Sequence, residues 1–417
     1  MLVKTLLNKC HYLKSFVYEN VSFEVINGNL AMVADIIPRS NGIAKCGLCQ
    51  KRGCVYDHLE VRLFNFVPLW GIPVYLRYRR RRVECETHGV RVEKIPWADG
   101  KEHLTKVYQH FLARWAKRLS WKETAEAFKT TWENIFRSVK AVVAYGLLHR
   151  SLNNITAVGV DELQYRKGHK YLTVVYQLDE GKKRLLYLGK NRTVKSLLKF
   201  FRELGVDRAQ KIKYVCSDMW KAYLKVIKKK VPQALHILDR FHIVQNLNKA
   251  LDQVRAGEAG HMVKAGYEYI LKHTKYCFLK RPENLTPNQK SKLKEVLQYD
   301  LKSVRAYLLK ESFQIFWQYT HPAWAEWYLK KWCQRAMRSQ LEPIKKFVGM
   351  IRNHQDLMLN WFKAKKAFSS GAVEGLNRKI NLITRKAYGF RTDKALEVAL
   401  FHTLGNLPEP EMTHRFC

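Results

Sequence analysis

Two aspartates stand where a carboxylate serves packing badly. Residues 157–160 read as a buried-type strand that ends abruptly in Asp161-Glu162, and Lys211 to Cys216 reads as a second strand that ends in Ser217-Asp218. Acidic groups at the ends of neighbouring strands repel one another unless a cation lies between them. A divalent metal resolves the conflict. Two oxygen-ligated Mg2+ ions (or Mn2+) about 3.5–4 Å apart activate a nucleophile and stabilise the leaving oxygen of an in-line phosphoryl transfer. The blander reading of each acid alone is a solvated turn or a helix cap. Asp239-Arg-Phe-His242 follows a further strand. There Asp239 either caps the helix beginning near Phe241, with His242 an ordinary first-turn residue, or the pair lies near a scissile phosphate. Arg166-Lys167-Gly168-His169 forms a turn just after Asp161, read first as solvated and second as a phosphate contact.

A second constellation is built of soft ligands. Cys46-x2-Cys49 and Cys85-x2-His88 are two short knuckles separated by 35 residues. Two ligands from each of two tight turns suit a closed, tetrahedral, structural Zn2+ site. Cys54 offers a competing thiolate, and the alternative is a pair of buried free cysteines. Nine cysteines, an odd number with only this cluster organised, point to metal before disulfide in a reducing compartment.

The whole chain sets the partner. It carries 75 Lys+Arg against 36 Asp+Glu, a formal charge of +39 over 417 residues. So large a surplus repels itself unless a polyanion neutralises it, which makes nucleic acid the expected partner. With 47% apolar residues and 12% aromatics, the chain has too much core material to be disordered. No apolar run approaches the about 20 residues of a membrane span, and the N-terminus lacks the pattern of a secretory signal, so a cytoplasmic protein is expected.

Positioning these residues requires an α/β scaffold. From Ile155 the periodicity reads βββαβαβα, through strands at 155–160, 170–178, 184–188, 211–216 and 234–238. That order is the order of the ribonuclease H-like fold, whose first and fourth strands are neighbours, and it sets Asp161 beside Asp218. The third acidic ligand of that fold comes from a later helix, where Glu374 fits, after the Ser/Gly-rich stretch Ser369-Ser370-Gly371. The fold class expected is multidomain α+β. It comprises a β-hairpin region around Asn27-Gly28 (1–39), a β-rich zinc-binding domain (40–98), and a helix-turn-helix (99–152). A catalytic domain (153–245 and 369–405) follows, with an all-α insertion (246–368).

Two stretches suggest DNA contacts. Trp121 to Phe128 and Trp132 to Val139 resemble a helix-turn-helix with Ala125, Phe128, Ile135 and Val139 as its core and Asn134, Arg137 and Ser138 as groove contacts. Lys129 stands near the place where such turns usually have Gly, and an ordinary helical hairpin is the alternative. Arg77, Arg79, Arg80, Arg81 and Arg82 form a basic stripe within a strand-like run at 60–83. In the insertion, Trp317, Trp324 and Trp327 recur at roughly helical spacing, although Pro322 interrupts it. A hydrophobic core is expected, with base stacking as the lesser reading.

The motifs GVDELQYRKGHKY, VCSDMWKAY, ILDRFHIVQNLNKALDQVR and SSGAVEGLNRKINLITRKAYGFR together resemble DDE transposases of the bacterial insertion-sequence family IS-L-three, over nearly the whole chain. The resemblance implies a ribonuclease H-like catalytic domain with Asp161, Asp218 and Glu374 as the acidic triad holding Mg2+. It implies that Asp239 and His242 match an accessory signature, and that the N-terminal modules bind DNA. One position departs: the last zinc ligand, usually Cys, is His88. The expected activity is binding of terminal inverted repeats, then strand cleavage and transfer into target DNA, by a chain that is a homo-oligomer on DNA. The rival of another class is a zinc-containing DNA-binding regulator with an inactive nuclease-like domain. A nuclease without joining activity is the third reading.

Overall fold

A computed structural model describes residues 3–166, 168, 170–266, 270–366 and 371–411. Lys167, His169, Ser369 and Ser370 therefore lie outside the described residues. The chain divides into two units, Met1–Ser151 with Ile380–Cys417, and Leu152–Lys379. Both are mixtures of helix and sheet.

The first unit opens with α1 (Val3–Cys10), then β1 (Phe16–Ile26) and β2 (Asn29–Pro38), antiparallel about the expected turn, where Asn27 and Gly28 both take positive φ. β3 (Val55–Leu69), β4 (Ile72–Cys85) and β5 (Gly89–Val92) complete one sheet in the order β1-β2-β4-β3, with β5 also on β4. The stretch read as strand-like from 60 to 83 lies in these two strands, turned at Trp70-Gly71. β2 pairs with β4 in parallel, so the hairpin assigned to 1–39 and the strands assigned to 40–98 share a single sheet. Its core centres on Trp97, whose ring meets the edges of Phe16, Phe64 and Tyr78 at centroid distances of 5.0–6.1 Å.

Three helices follow: α2 (Lys106–Trp115), α3 (Trp121–Ala127) and α4 (Trp132–His149). Ser120 and Glu123 form a capping box on α3, and Thr131 caps α4, which fixes the short connection between them. Lys129 sits in that connection at φ +48°, in the left-handed region that glycine would occupy at no cost. Ala125, Ile135 and Val139 are buried as expected of an inter-helix core, while Phe128 packs outward against Phe111 and Trp115.

The second unit begins with β6 (Ala157–Arg166), β7 (Lys170–Gln177) and β8 (Arg184–Lys190). Then come α5 (Val194–Leu204), α6 (Val206–Gln210), β9 (Tyr214–Ser217), α7 (Lys221–Lys230), β10 (Leu235–Leu238) and α8 (Arg240–Lys264). The sheet order is β10-β9-β6-β7-β8. β10, β9 and β6 are parallel; β6, β7 and β8 are antiparallel. α5 and α7 bury Leu197, Phe200, Tyr223 and Ile227 against Val158, Val160 and Val215 of the sheet. In one respect the strand differs from expectation. β6 does not end at Val160: only its pairing with β9 stops there, and its pairing with β7 continues through Asp161 and Glu162 to Arg166.

Helices dominate the rest: α9 (Lys275–Leu279), α10 (Pro287–Val296), α11 (Lys302–Phe316), α12 (Pro322–Arg338), α13 (Glu342–Asn353), α14 (Gln355–Lys363), α15 (Gly371–Lys386) and α16 (Asp393–Leu404). The chain passes from the second unit to the first inside α15, so the stretch 369–405, expected wholly with the second sheet, is divided. Trp317 is buried with Trp361, ring centroids 5.4 Å apart, but Trp324 and Trp327 are 62% and 51% exposed and are not core. Pro322 starts α12 rather than interrupting a helix, and the buried side of α12 is Ala325, Leu329, Trp332 and Cys333.

Each unit contains a buried neutral imidazole. Burial lowers His402 to about 3 and His236 to about 4, from an ordinary 6.5. Between those values the unfolded chain binds the proton and the folded chain does not. Stability present at neutral pH is therefore lost as pH falls below about 6.5, at about 1.4 kcal/mol per pH unit for each group. Urea midpoints are expected to fall between pH 7 and pH 5, and less steeply in His402→Gln. A pH-independent midpoint would contradict this.

Candidate functional site

The sheet register of the second unit collects acids at one edge. Val160 is level with Ser217, and Ser217 with Leu238, so Asp161, Asp218 and Asp239 are each the next residue on three adjacent parallel strands. Asp161 is mostly buried, which raises its carboxyl above the usual range. Counteracting that are the Glu162 amide, which donates to Oδ1 at 2.7 Å, and the Asn377 amide, which donates to Oδ2 at 2.6 Å. Asn377 Oδ1 in turn accepts from the Tyr176 hydroxyl at 2.7 Å. Those two bonds bind α15 to β6 and β7. Gly159 permits the approach, since a Cβ there would lie 2.7 Å from Val373 Cγ2.

Glu374 is thus held on a helix anchored to Asp161, three residues before the anchoring Asn377. Its side chain turns along α15 to Arg378, at 2.6 Å. Asp218 Oδ1 accepts from the Trp220 amide at 3.1 Å, and its Oδ2 lies 3.7 Å from Arg192 Nη2. Asp239 caps α8, accepting from the Phe241 amide at 2.6 Å, one of the two roles read for it from sequence. It also lies 3.7 Å from His242 Nε2. His242 and Asp239 both act on the charge of Asp161.

Two neighbours were not anticipated. Arg192, between β8 and α5, pairs with Glu162 Oε2 at 2.5 Å and lies 4.6 Å over the Trp220 ring. The Glu162 side chain is 8% exposed, and its Oε1 is buried with no hydrogen-bond partner among the described residues. Burial, and then the Asp218 charge, push its carboxyl up to about 8 against the pull of Arg192. The Asp-Glu doublet was the sequence signal for Glu162; Arg192 had none. Hard oxygen donors converging on one sheet edge, with one orphaned carboxylate oxygen among them, fit a Mg2+ or Mn2+ site by chemistry.

In the first unit the two knuckles meet. Ligand atoms of Cys46, Cys49, Cys85 and His88 all lie within 4.8 Å of one another, the group of this kind found among the described residues. Asp161, Asp218 and Glu374 do not come together so closely. Cys49 and Cys85 sulfurs are 3.5 Å apart, and His88 Nδ1 is 3.6 Å from Cys85 and 3.9 Å from Cys46. Such separations suit the edges of a tetrahedron with metal–ligand bonds of about 2.0–2.3 Å. Gly47 lets the first knuckle press against β5, since a Cβ would meet the Val92 carbonyl at 2.4 Å. Backbone amides of Cys49 and Leu48 hold the Cys46 thiol below the usual thiol range. Cys54 is exposed and outside the group.

A family model described as "Transposase", that of the DDE transposases of the IS-L-three group, matches residues 158–400. The chain belongs to this transposase family. It is similar to the transposase for insertion sequence element IS1557 of Mycobacterium tuberculosis, at 29% identity over 95% of this chain and 94% of that protein. It is also similar to the transposase for insertion sequence element IS1001 of Bordetella parapertussis, at 28% identity over 84% and 86% of the two chains. The family match spans the carboxylate edge, from β6 to α16, and among the described residues no helix is long and apolar enough to cross a membrane.

A transposase acts on DNA, so the cations matter. Three of the five arginines in the stripe are already neutralised. Arg77 pairs with Asp35 at 2.6 Å and Glu24 at 2.9 Å, Arg82 pairs with Asp57, and Arg81 is buried against Glu93 at 2.7 Å. The side-chain alternation of β4 slips between Tyr78 and Arg81, and this turns Arg81 into the core with Val83 and Cys85. Among the described residues, Arg79 and Arg80 donate to the carbonyls of Leu59 and Gly100 and have no carboxylate partner. On α4, Arg137 is exposed and Asn134 is half-buried against Thr130, but Ser138 is fully buried, bonded to the Asn134 carbonyl, and faces away from any groove.

Proposed function

We propose that this chain is the transposase of an insertion sequence, binding its terminal inverted repeats and catalysing metal-dependent DNA strand cleavage and strand transfer. The observation that carries the reading is the register alignment of Asp161 and Asp218 on adjacent parallel strands, with the Glu374 helix bonded to Asp161 through Asn377. The strand order β10-β9-β6-β7-β8 supports a ribonuclease H-like catalytic domain. Asp161, Asp218 and Glu374 would hold Mg2+, which when bound supplies charge stabilisation at the attacking and leaving oxygens. Zn2+ on Cys46, Cys49, Cys85 and His88 would be structural.

The reaction has two displacements. A water oxygen attacks the phosphorus at the element end; the bond from phosphorus to O3′ breaks, and a 3′-hydroxyl is left. That hydroxyl then attacks a phosphorus of target DNA, and the target strand's own 3′-oxygen departs. Arg192, which reaches both Glu162 and Asp218, places a positive charge at this edge where a phosphate would lie. His242, with Asp239 orienting it, is an accessory group near the scissile phosphate. Incubating the purified chain with Mg2+ and duplexes taken from the DNA bracketing its gene tests the reading. End-specific nicking followed by joined products is expected. Nicking without joining would leave a nuclease, and neither would leave a DNA-binding regulator.

Duplex affinity is expected to fall steeply with salt. Replacing Arg79 and Arg80 together with alanine should flatten the slope of log K against log salt by about 2, one phosphate each. Arg77→Ala and Arg81→Ala should leave the slope alone and lower stability instead. Measuring all three by fluorescence anisotropy across a salt series checks this, and an unchanged slope in the double variant would remove those arginines from the interface.

A further inference from the structure

A cavity of about 820 Å3 lies in the first unit between the N-termini of α3 and α4 and the segment joining α15 to α16. Five aromatic rings line it: Trp121, Trp132, Phe136, Tyr388 and Phe390. Trp121 organises the wall, its ring 5.4 Å from Phe136 and 5.7 Å edge-on to Phe390. Trp132 is 48% exposed and Tyr388 wholly exposed. Both rings reach water at the mouth of the cavity, Trp132 half-buried in its wall and Tyr388 with no burial of its own.

Tyr388 is also held in an unfavourable conformation. Its φ is +50°, followed by Gly389 at +92°. The Tyr388 amide bonds the Arg385 carbonyl at 3.0 Å, and the Gly389 amide bonds the Thr384 carbonyl at 2.9 Å, so the end of α15 fixes this turn rigidly. A bulky non-glycine residue in the left-handed region is uncommon, and here it takes the position after a helix that glycine usually fills. This turn is the Tyr-Gly-Phe-Arg end of the motif that contains Glu374, and nothing in the strand-cleavage chemistry uses it.

Charge complementarity selects the occupant. Lys117, Lys122, Lys386 and Arg391 line the cavity with Glu123 and Glu126; Lys117 is paired with Glu409 at 2.6 Å and Lys122 lies 3.8 Å from Glu126, so the cationic excess of the rim is at Lys386 and Arg391. Glu123 is committed to capping α3. Stacking rings within a cationic rim fit a planar base joined to a phosphate, and the volume suits a small-ligand site. The cavity also adjoins the first turn of α4, the end of a recognition helix that approaches base edges. We propose that this cavity receives one unpaired nucleotide of the DNA bound by the helix-turn-helix, the base stacking on Trp132 and Tyr388 and its phosphate meeting Lys386. The proposal rests on the reading of the chain as a DNA-binding transposase.

The test uses the full chain and three short duplexes of one sequence: fully paired, carrying a single bulged adenosine, and carrying an abasic bulge at the same place. The bulged adenosine is expected to bind about tenfold tighter than the other two, the effect of one base–aromatic stack. Tyr388→Ala, at a fully exposed side chain that the fold does not need, should abolish that preference while leaving paired-duplex affinity unchanged. Trp132→Ala, at a half-buried ring in the first turn of α4, should also abolish the preference, with its far-UV circular dichroism unchanged. Equal binding of the three duplexes by the wild type, or a preference that survives both variants, overturns the cavity's role while leaving DNA binding intact. Altered sedimentation of Tyr388→Ala without DNA would assign the cavity to a second copy and also overturn it. No binding to any duplex would instead overturn the DNA reading, and the occupant with it.

Discussion

Asp161→Ala and Asp218→Ala are each expected to reduce strand cleavage by about a thousandfold or more while leaving duplex affinity within about twofold of wild type. The two effects separate because different side chains carry them. Phosphate affinity resides on Lys and Arg, and loss of an acid from a chain of charge +39 does not weaken it. Cleavage needs the charge stabilisation that the acids would organise. Glu374→Ala is the most informative of the set, because Glu374 is partnered by Arg378 on its own helix and reaches the other acids only if that contact is exchanged. A loss equal to that of Asp161→Ala supports the triad. Full cleavage by Glu374→Ala, read from the same preparations used for anisotropy, would exclude Glu374 from it. Asn377→Ala separates position from chemistry. It removes the bond that ties α15 to Asp161, so partial cleavage, rescued toward wild type by Asn377→Gln, is the outcome expected of a positioning residue.

The difference between what was legible and what was not follows the range of the interactions. Periodicity is local, so the alternation of strands and helices from residue 157 to 264 can be read directly, and the ends of the parallel strands locate Asp161, Asp218 and Asp239. The hairpin at Asn27-Gly28 is equally local. Partnership is not. Nothing near Arg77, Arg81 or Arg82 in sequence announces Asp35, Glu93 or Asp57, which arrive from other strands and turn a run of positive charge into largely internal ion pairs. β6 misleads for a related reason: its apolar run stops at Val160 because a parallel neighbour stops there, whereas the antiparallel neighbour carries the strand onward. Trp324 and Trp327 share a helical period with Trp317, but a new helix begins at Pro322, and the period does not cross it. Arg192 is a single loop residue whose significance lies wholly in what it faces.

Removing zinc should have a large and confined effect. The four residues that could hold it lie at the tips of the knuckles, while the sheet beneath them is pinned by Trp97 packed against Phe16, Phe64 and Tyr78. Residues 40–98 taken by themselves would have too little core to stay folded without metal. The shared sheet changes that expectation, because β2 buries Met32, Val33 and Ala34 alongside β4. Chelation is therefore expected to expose the amides of residues 45–54 and 86–92 to hydrogen exchange while those of β2 and the centre of β4 stay protected. Wild type should contain one Zn2+ per chain by metal analysis. Structural zinc binding of about 10–16 kcal/mol divides over four ligands, so His88→Ala should lower affinity by about a hundredfold or more, and His88→Cys should retain the metal. Cys54→Ala should bind zinc like wild type, because Cys54 is exposed and outside the group. Retention by His88→Ala together with loss by Cys54→Ala would transfer the fourth ligand to Cys54, and exchange protection lost throughout β2 and β4 on chelation would mean that the metal, not Trp97, organises the sheet.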